Sequence, residues 1–126
     1  MASRTCHEID PTLTDRLVGA SARAFQVLGV NALKTVQPTT DAVIGQRVVE
    51  VDIQGRQVQI STLELHVIID LARTGRVACF DLAEPWIPTD RTPAPTIRLL
   101  LDNGGGVDFA EPARTKRITV SIVPAA

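Results

Sequence analysis

Val49-Glu50-Val51-Asp52-Ile53-Gln54-Gly55-Arg56-Gln57-Val58-Gln59-Ile60 alternates apolar and polar side chains on both sides of a Gln54-Gly55-Arg56 break. A period of two puts one set of side chains on one face of an extended chain. Two such runs joined by a glycine-bearing turn predict a β-hairpin. The same period continues outward from it. Leu65–Leu71 is a more uniformly apolar strand broken at Asp70, and Gly75–Phe80 is another. Ile97, Leu99 and Leu101 alternate, Asn103-Gly104-Gly105-Gly106 turns the chain, and Val107–Ala110 is a short strand. Ile118, Val120 and Ile122 mark the last one, and Ala22–Val30 is a strand on the upstream side.

Other segments break this period. Pro85, Pro88, Pro93 and Pro95 exclude a regular element between Leu82 and Pro95, so a long loop is expected there. Ahead of the strands, Ile9, Leu13 and Leu17 form one stripe at a spacing of four. Asp10 suits the cap, Pro11 the first helical position and Gly19 the stop, predicting a helix over Pro11–Val18. One helix followed by seven or eight short strands predicts a mainly β protein, a two-layer antiparallel β-sandwich with one N-terminal α-helix. Val49, Val51, Ile53, Val58, Ile60, Val67, Ile69, Leu99, Leu101, Ile118, Val120 and Ile122 are expected to face inward.

The 126 residues are read as a single domain, 1–126. Hydrophobic residues make up 44% and charged residues 21%, which fits a globular chain rather than a disordered one. No apolar run approaches the roughly 20 residues of a membrane helix. Met1–Asp10 lacks the apolar core of a secretory signal, so no membrane partner and a cytoplasmic location are expected. A net charge of -1 excludes a globally basic nucleic-acid binder but leaves room for a local basic patch. Eleven of the 13 basic residues are arginine, the better bidentate phosphate ligand. The aromatics are Phe25, Phe80, Trp86 and Phe109, too few for a base-stacking platform.

Cys6 and Cys79 lack metal-ligand spacing, so neither zinc nor any other cofactor is expected. Cys6-His7-Glu8 offers a thiolate, a base and an orienting acid on paper, but a short polar N-terminal stretch reads as frayed chain. Cys79 reads as a small core residue and His66 as a packed, hydrogen-bonded side chain. Asp70, within an apolar strand, is expected to be a buried carboxylate ion-paired to Arg73 or Arg76. Asp102-Asn103-Gly104 has turn chemistry, without the acid spacing of a calcium loop.

Six blocks in order carry a resemblance. They are Ile44-Gly45-Gln46-Arg47-Val48-Val49-Glu50-Val51, Gln54-Gly55-Arg56, Leu65-His66-Val67-Ile68-Ile69-Asp70-Leu71, Gly75-Arg76-Val77, Ile97-Arg98-Leu99-Leu100-Leu101-Asp102-Asn103-Gly104 and Phe109-Ala110-Glu111-Pro112-Ala113-Arg114. Together they resemble the N-terminal domain of the formamidopyrimidine-DNA glycosylase and endonuclease VIII family over residues 10 to 123. Ala32-Leu33-Lys34-Thr35 and Lys116-Arg117 look most like the endonuclease VIII side of that family. The resemblance implies a β-sandwich entered by a helix, and enzymes that excise oxidised bases and nick the abasic site. It also implies that Lys34, Arg56, Arg73, Arg114, Lys116 and Arg117 lie on or near a DNA-facing side, with Arg76 close by.

The departures from the family pattern are chemical. Ala2-Ser3 stands where the family carries its Pro nucleophile and catalytic Glu, so the amine of Ala2 occupies the nucleophile's position. Arg56 replaces the hairpin lysine and cannot readily give up a proton. Arg73 replaces the methionine that fills the gap left by a flipped base, and the wedge phenylalanine is missing after Arg114. The family's second domain, with its helical element and zinc finger, has no counterpart in the sequence. Three functions follow as expectations. One is a catalytically impaired, weakly DNA-binding repair module. The second is an active glycosylase or abasic-site lyase using the Ala2 amine or a partner subunit. The third is a protein-interaction domain without a nucleic-acid role. Beside DNA, the expected partner is a protein supplying the missing helical and zinc-finger half or a second copy in a homo-oligomer.

Overall fold

In the computed structural model, residues 9–29, 32–34, 40–89, 93–111 and 117–125 are described. Asp10 opens the first element. Its carboxylate accepts from the Thr12 amide at 2.9 Å and the Thr12 hydroxyl at 2.6 Å, and the helix α1 runs over Leu13–Leu17. It is shorter than the expected Pro11–Val18, because Val18 is already extended and Gly19 follows at φ +93°. Leu13 and Leu17 are fully buried, so the stripe of four-residue spacing is what docks the helix.

Eight strands follow: β1 Ala22–Val27, β2 Glu50–Gln54, β3 Gln57–Ser61, β4 Leu65–Asp70, β5 Arg76–Phe80, β6 Ile97–Leu101, β7 Gly106–Ala110 and β8 Thr119–Pro124. They form two four-stranded antiparallel sheets, ordered β1-β6-β7-β5 and β2-β3-β4-β8. In the second sheet Ile60, Val67 and Ile122 lie in one cross-strand row, and Val58, Ile69 and Val120 in the next. All six are buried against Phe25, Ile97, Leu99, Leu101, Val77, Val107 and Phe109 of the first sheet. Strict alternation fixes this register, because a slip of one residue would turn both rows to solvent.

Two of the expected inward residues are not inside. Val49 is 44% and Ile53 40% exposed, and Val51 is half-buried. Val51 and Ile53 have inward parity, but β2 is an edge strand with a neighbour only at β3, whereas Val49 precedes β2 and the adjacent Val48 takes the inward place. Bridging segments cover the other edges: Ile9 beside Val77 on β5, Leu33 beside Val120 on β8, and Arg47 beside Ser21 at the start of β1. Among the described residues β2 has no such cover, and it carries exposed Glu50 and Asp52 on its outer face. Strand β1 also stops at Val27 rather than Val30, as the amides of Leu28 and Gly29 turn to the Thr96 carbonyl.

Among its described residues the proline-rich segment after β5 forms no regular element, and residues 83–86 are strapped to the outer face of the first sheet. Gln26 pairs with Trp86 like a strand, its amide nitrogen donating to the Trp86 carbonyl and its oxygen accepting from the Trp86 amide. Arg98 and Asp108, directly opposite on β6 and β7, make a two-pronged ion pair at 2.7 and 2.9 Å, and Arg98 also reaches the Glu84 carbonyl. Under the strap Gly106 touches both Ala83 and Leu100; a Cβ there would meet the Ala83 Cβ at 2.6 Å. Leu100, whose parity is outward, is therefore fully buried.

This arrangement sets an expectation for stability. Ile69→Ala, at a fully buried site, is expected to cost about 2–5 kcal/mol in urea unfolding, whereas Ile53→Ala should cost less than about 1 kcal/mol. Equal losses would mean that β2 is covered like the inner strands.

Candidate nucleic-acid interface

Three chain reversals meet at one end of the sandwich: the β2–β3 turn, the β4–β5 turn and the connection from β7 to β8. Gln57, Asp70 and Thr119 are in register across the second sheet there, as are Arg76 and Ala110 in the first. Arg56, Arg73, Arg76 and Arg117 all stand at this end. The opposite end presents Glu50 and Glu64 from the second sheet and Asp81 and Asp102 from the first, with Asp81 paired to Arg16 at 2.8 Å. That end also carries Arg16, Arg23 and Arg47, so its charge is mixed.

Glu111 organises the basic end. Its carboxylate is buried, at 6% exposure, and accepts from the backbone amides of Arg117 and Ile118 and from the Thr74 hydroxyl. One side chain thus joins the two ends of segment 112–116 and ties them to the β4–β5 turn. Its position follows from the sequence. Val107 and Phe109 point inward from β7, and the same parity carries on to 111. A carboxylate forced inward survives because backbone donors surround it.

The β4–β5 turn is held with similar density. The Arg56 guanidinium donates from Nε to the Ala72 carbonyl at 3.0 Å and from Nη2 to the Gly75 carbonyl at 2.5 Å. The Leu71 amide donates to the Arg56 carbonyl, and the Gly75 amide to the Leu71 carbonyl. Ala72 sits at φ +57°, a left-handed conformation that costs a non-glycine residue about 1–2 kcal/mol. Gly75 admits no side chain, because a Cβ would strike the Leu71 carbonyl and Ile118. Arg73, between these anchors, is exposed and makes no hydrogen bond or ion pair among the described residues.

Asp70 is not the buried, ion-paired carboxylate expected from the sequence. It is the last residue of β4 on the outer face, exposed, and its Oδ1 accepts from the Ala72 amide at 2.8 Å. The apolar neighbours misled because they point to the other side. Lys34 is exposed beside β8, its amide bonded to the Val120 carbonyl, at the edge of this end rather than within it. Ala2, Cys6, His7, Arg114 and Lys116 lie outside the described residues. His66 is half-buried, and its Nδ1 lies 2.8 Å from the Ser61 hydroxyl and 3.2 Å from Gln59 Nε2, as a packed histidine should be. Among the described residues no group of three or more His, Cys, Asp or Glu is placed to hold a metal ion.

Away from this end, Asp10 also accepts from the Cys79 amide at 3.2 Å. Hydrogen bonds from Thr12 hold the Asp10 carboxyl below its usual range. The Cys79 thiol is pushed up to about 11, chiefly by burial and then by the nearby Asp10 charge. It packs partly buried against the core, close to the small core residue expected.

Two measurements follow. With Cys6→Ser to isolate Cys79, iodoacetamide should react slowly at pH 8 and accelerate only as the pH approaches 11; rapid labelling at pH 8 would contradict a buried thiol. Glu111→Ala should lower unfolding stability by about 1–3 kcal/mol, because the Ile118 amide loses its acceptor in a buried setting.

Comparison with known proteins bears on the fold. No family model and no curated protein matches the chain. Solved structures do match it. Lactococcus lactis Fpg (MutM) in complex with FAPY-dG-containing DNA aligns with a TM-score of 0.72 at 15% identity, covering 90% of this chain and 40% of that one. The same values hold for the L. lactis Fpg complexes with an abasic-site-containing DNA and with a THF-DNA and an inhibitor. The chain thus spans about 40% of the length of the structures it matches. Helix, two four-stranded sheets and order of elements agree with the sandwich expected from the sequence, and the chain carries the fold of an N-terminal Fpg domain.

Proposed function

We propose that this chain is a DNA-repair-associated module that binds duplex DNA weakly and without lesion selectivity, through its basic end, and has little or no base-excision activity. The observation that carries the reading is the convergence of Arg56, Arg73, Arg76 and Arg117 with both ends of segment 112–116. That segment adds Arg114 and Lys116 in sequence, and Lys34 flanks the group. Guanidiniums on closely tied turns suit phosphate oxygens, which position a protein on DNA without reading bases. The solved Fpg structures with this fold are DNA complexes, which supports the same partner. Ala2 and Ser3 in place of Pro and Glu support the loss of chemistry, since nucleophile and proton carrier act as a coupled unit.

Fluorescence anisotropy with a labelled duplex tests this. Dissociation constants of about 10⁻⁴–10⁻⁶ M are expected near physiological salt, with the affinity falling steeply as salt rises. Arg114→Ala should weaken binding alike to damaged and intact duplex, and reduce the salt slope by about one. Tight, lesion-selective binding would overturn the reading, and so would the absence of binding at low salt, which favours a protein-interaction domain.

A lyase reading has one observation in its favour. Ile9 bridges Val77 in parallel, so the N-terminal segment joins the sheet one residue from Arg76, at the basic end. Borohydride trapping on abasic-site DNA separates the readings. No covalent complex is expected; a complex lost on blocking the Ala2 amine would establish the lyase.

A further inference from the structure

The side chain of Arg56 is turned into the protein as well as charged. Its Nε and Nη2 donate to the carbonyls of Ala72 and Gly75, which bracket Arg73 and Thr74. Its own carbonyl receives the Leu71 amide, so side chain and backbone both grip the β4–β5 turn. Asp70 holds the Ala72 amide from the other side, and Glu111 holds Thr74. The left-handed Ala72 lies at the centre of these anchors. The residue whose backbone they immobilise, Arg73, is the one that extends into solvent.

From this geometry we infer that Arg56 is a positioning residue. It acts through the β4–β5 turn to hold Arg73 outward as the group that contacts phosphate, rather than contacting phosphate in its own right. The inference rests on the DNA-binding reading given above and assigns Arg56 and Arg73 separate parts in it. Two carbonyls three residues apart in sequence need a planar fork with donors at fixed angles. A lysine keeps the charge but has a single ammonium on a flexible stem, and cannot hold both carbonyls in the same geometry. Charge and hold can therefore be separated by substitution.

Arg73→Ala should weaken duplex binding about tenfold at low salt, the order expected for one lost charge-assisted hydrogen bond. It should also lower the salt slope by about one. Arg56→Lys should do the same despite conserving charge, and adding it to Arg73→Ala should cause no further change. Were Arg56 itself the phosphate ligand, Arg56→Lys would keep the slope and the double variant would be additive; either result overturns the inference.

A second pair covers the case in which Arg56→Lys fails to fold. Asp70→Asn and Asp70→Ala remove the same negative charge, but only the asparagine can still accept from the Ala72 amide. Asp70→Ala should bind several-fold more weakly than Asp70→Asn. Equal affinities would mean that the hold on the turn does not matter, and would overturn the positioning role. Thermal unfolding confirms that each variant is folded at the assay temperature. If the unmutated chain fails to bind duplex at low salt, the DNA-binding reading itself falls, and the positioning role with it.

Discussion

The carboxylate of Glu111 is the polar group around which the basic end of the sandwich closes. The β-sheet cores assemble by apolar burial alone, but three chain reversals must also meet above them, each with backbone donors to satisfy. Glu111 meets two of those donors at Arg117 and Ile118 and draws Thr74 from the neighbouring turn. Arg56 performs the complementary task from the second sheet, donating where Glu111 accepts. The two residues, one acid and one base, lock the turns that display the remaining cations.

Most of the architecture could be read from period and punctuation. Alternation placed Val58, Ile60, Val67, Ile69, Val120 and Ile122 inside, and each is buried. The same rule erred at Val49, where the adjacent Val48 takes the inward place, and at Ile53, since periodicity reports which way a side chain points and not whether anything lies opposite. Edge position comes from the strand order, and no residue encodes it locally. Asp70 shows the reverse case: its apolar neighbours suggested burial, while strand parity had already placed it on the outer face with Gln57 and Thr119. Glu111 was legible by parity from Val107 and Phe109 but passed as part of a loop motif. The grip of Arg56 on two carbonyls could not be read, because it depends on where two separate turns meet.

The charge distribution gives the fold a direction. Arg56, Arg73, Arg76 and Arg117 crowd one end, while the other mixes Glu50, Glu64, Asp81 and Asp102 with Arg16, Arg23 and Arg47. On the first sheet's outer face Gln26 and Arg98 strap down the segment after β5, while Ala78 and Phe80 of β5 stay exposed. The arginine-bearing turns are held on a firm scaffold, the kind of place where loops commonly carry recognition.

The uncovered strand β2 has a consequence for handling the protein. Bare strand edges invite pairing with other copies, and charged side chains guard against it. Here Glu50 and Asp52 stand on an edge flanked by the exposed Val49 and Ile53. Two such edges approaching each other bring like charges together over apolar side chains. Dissolved ions screen that repulsion within a Debye length of about 8 Å at 0.15 M, and leave the apolar attraction intact. A buffer of high ionic strength therefore disarms the sentries at the open strand, and preparations held in it become the ones most disposed to self-associate.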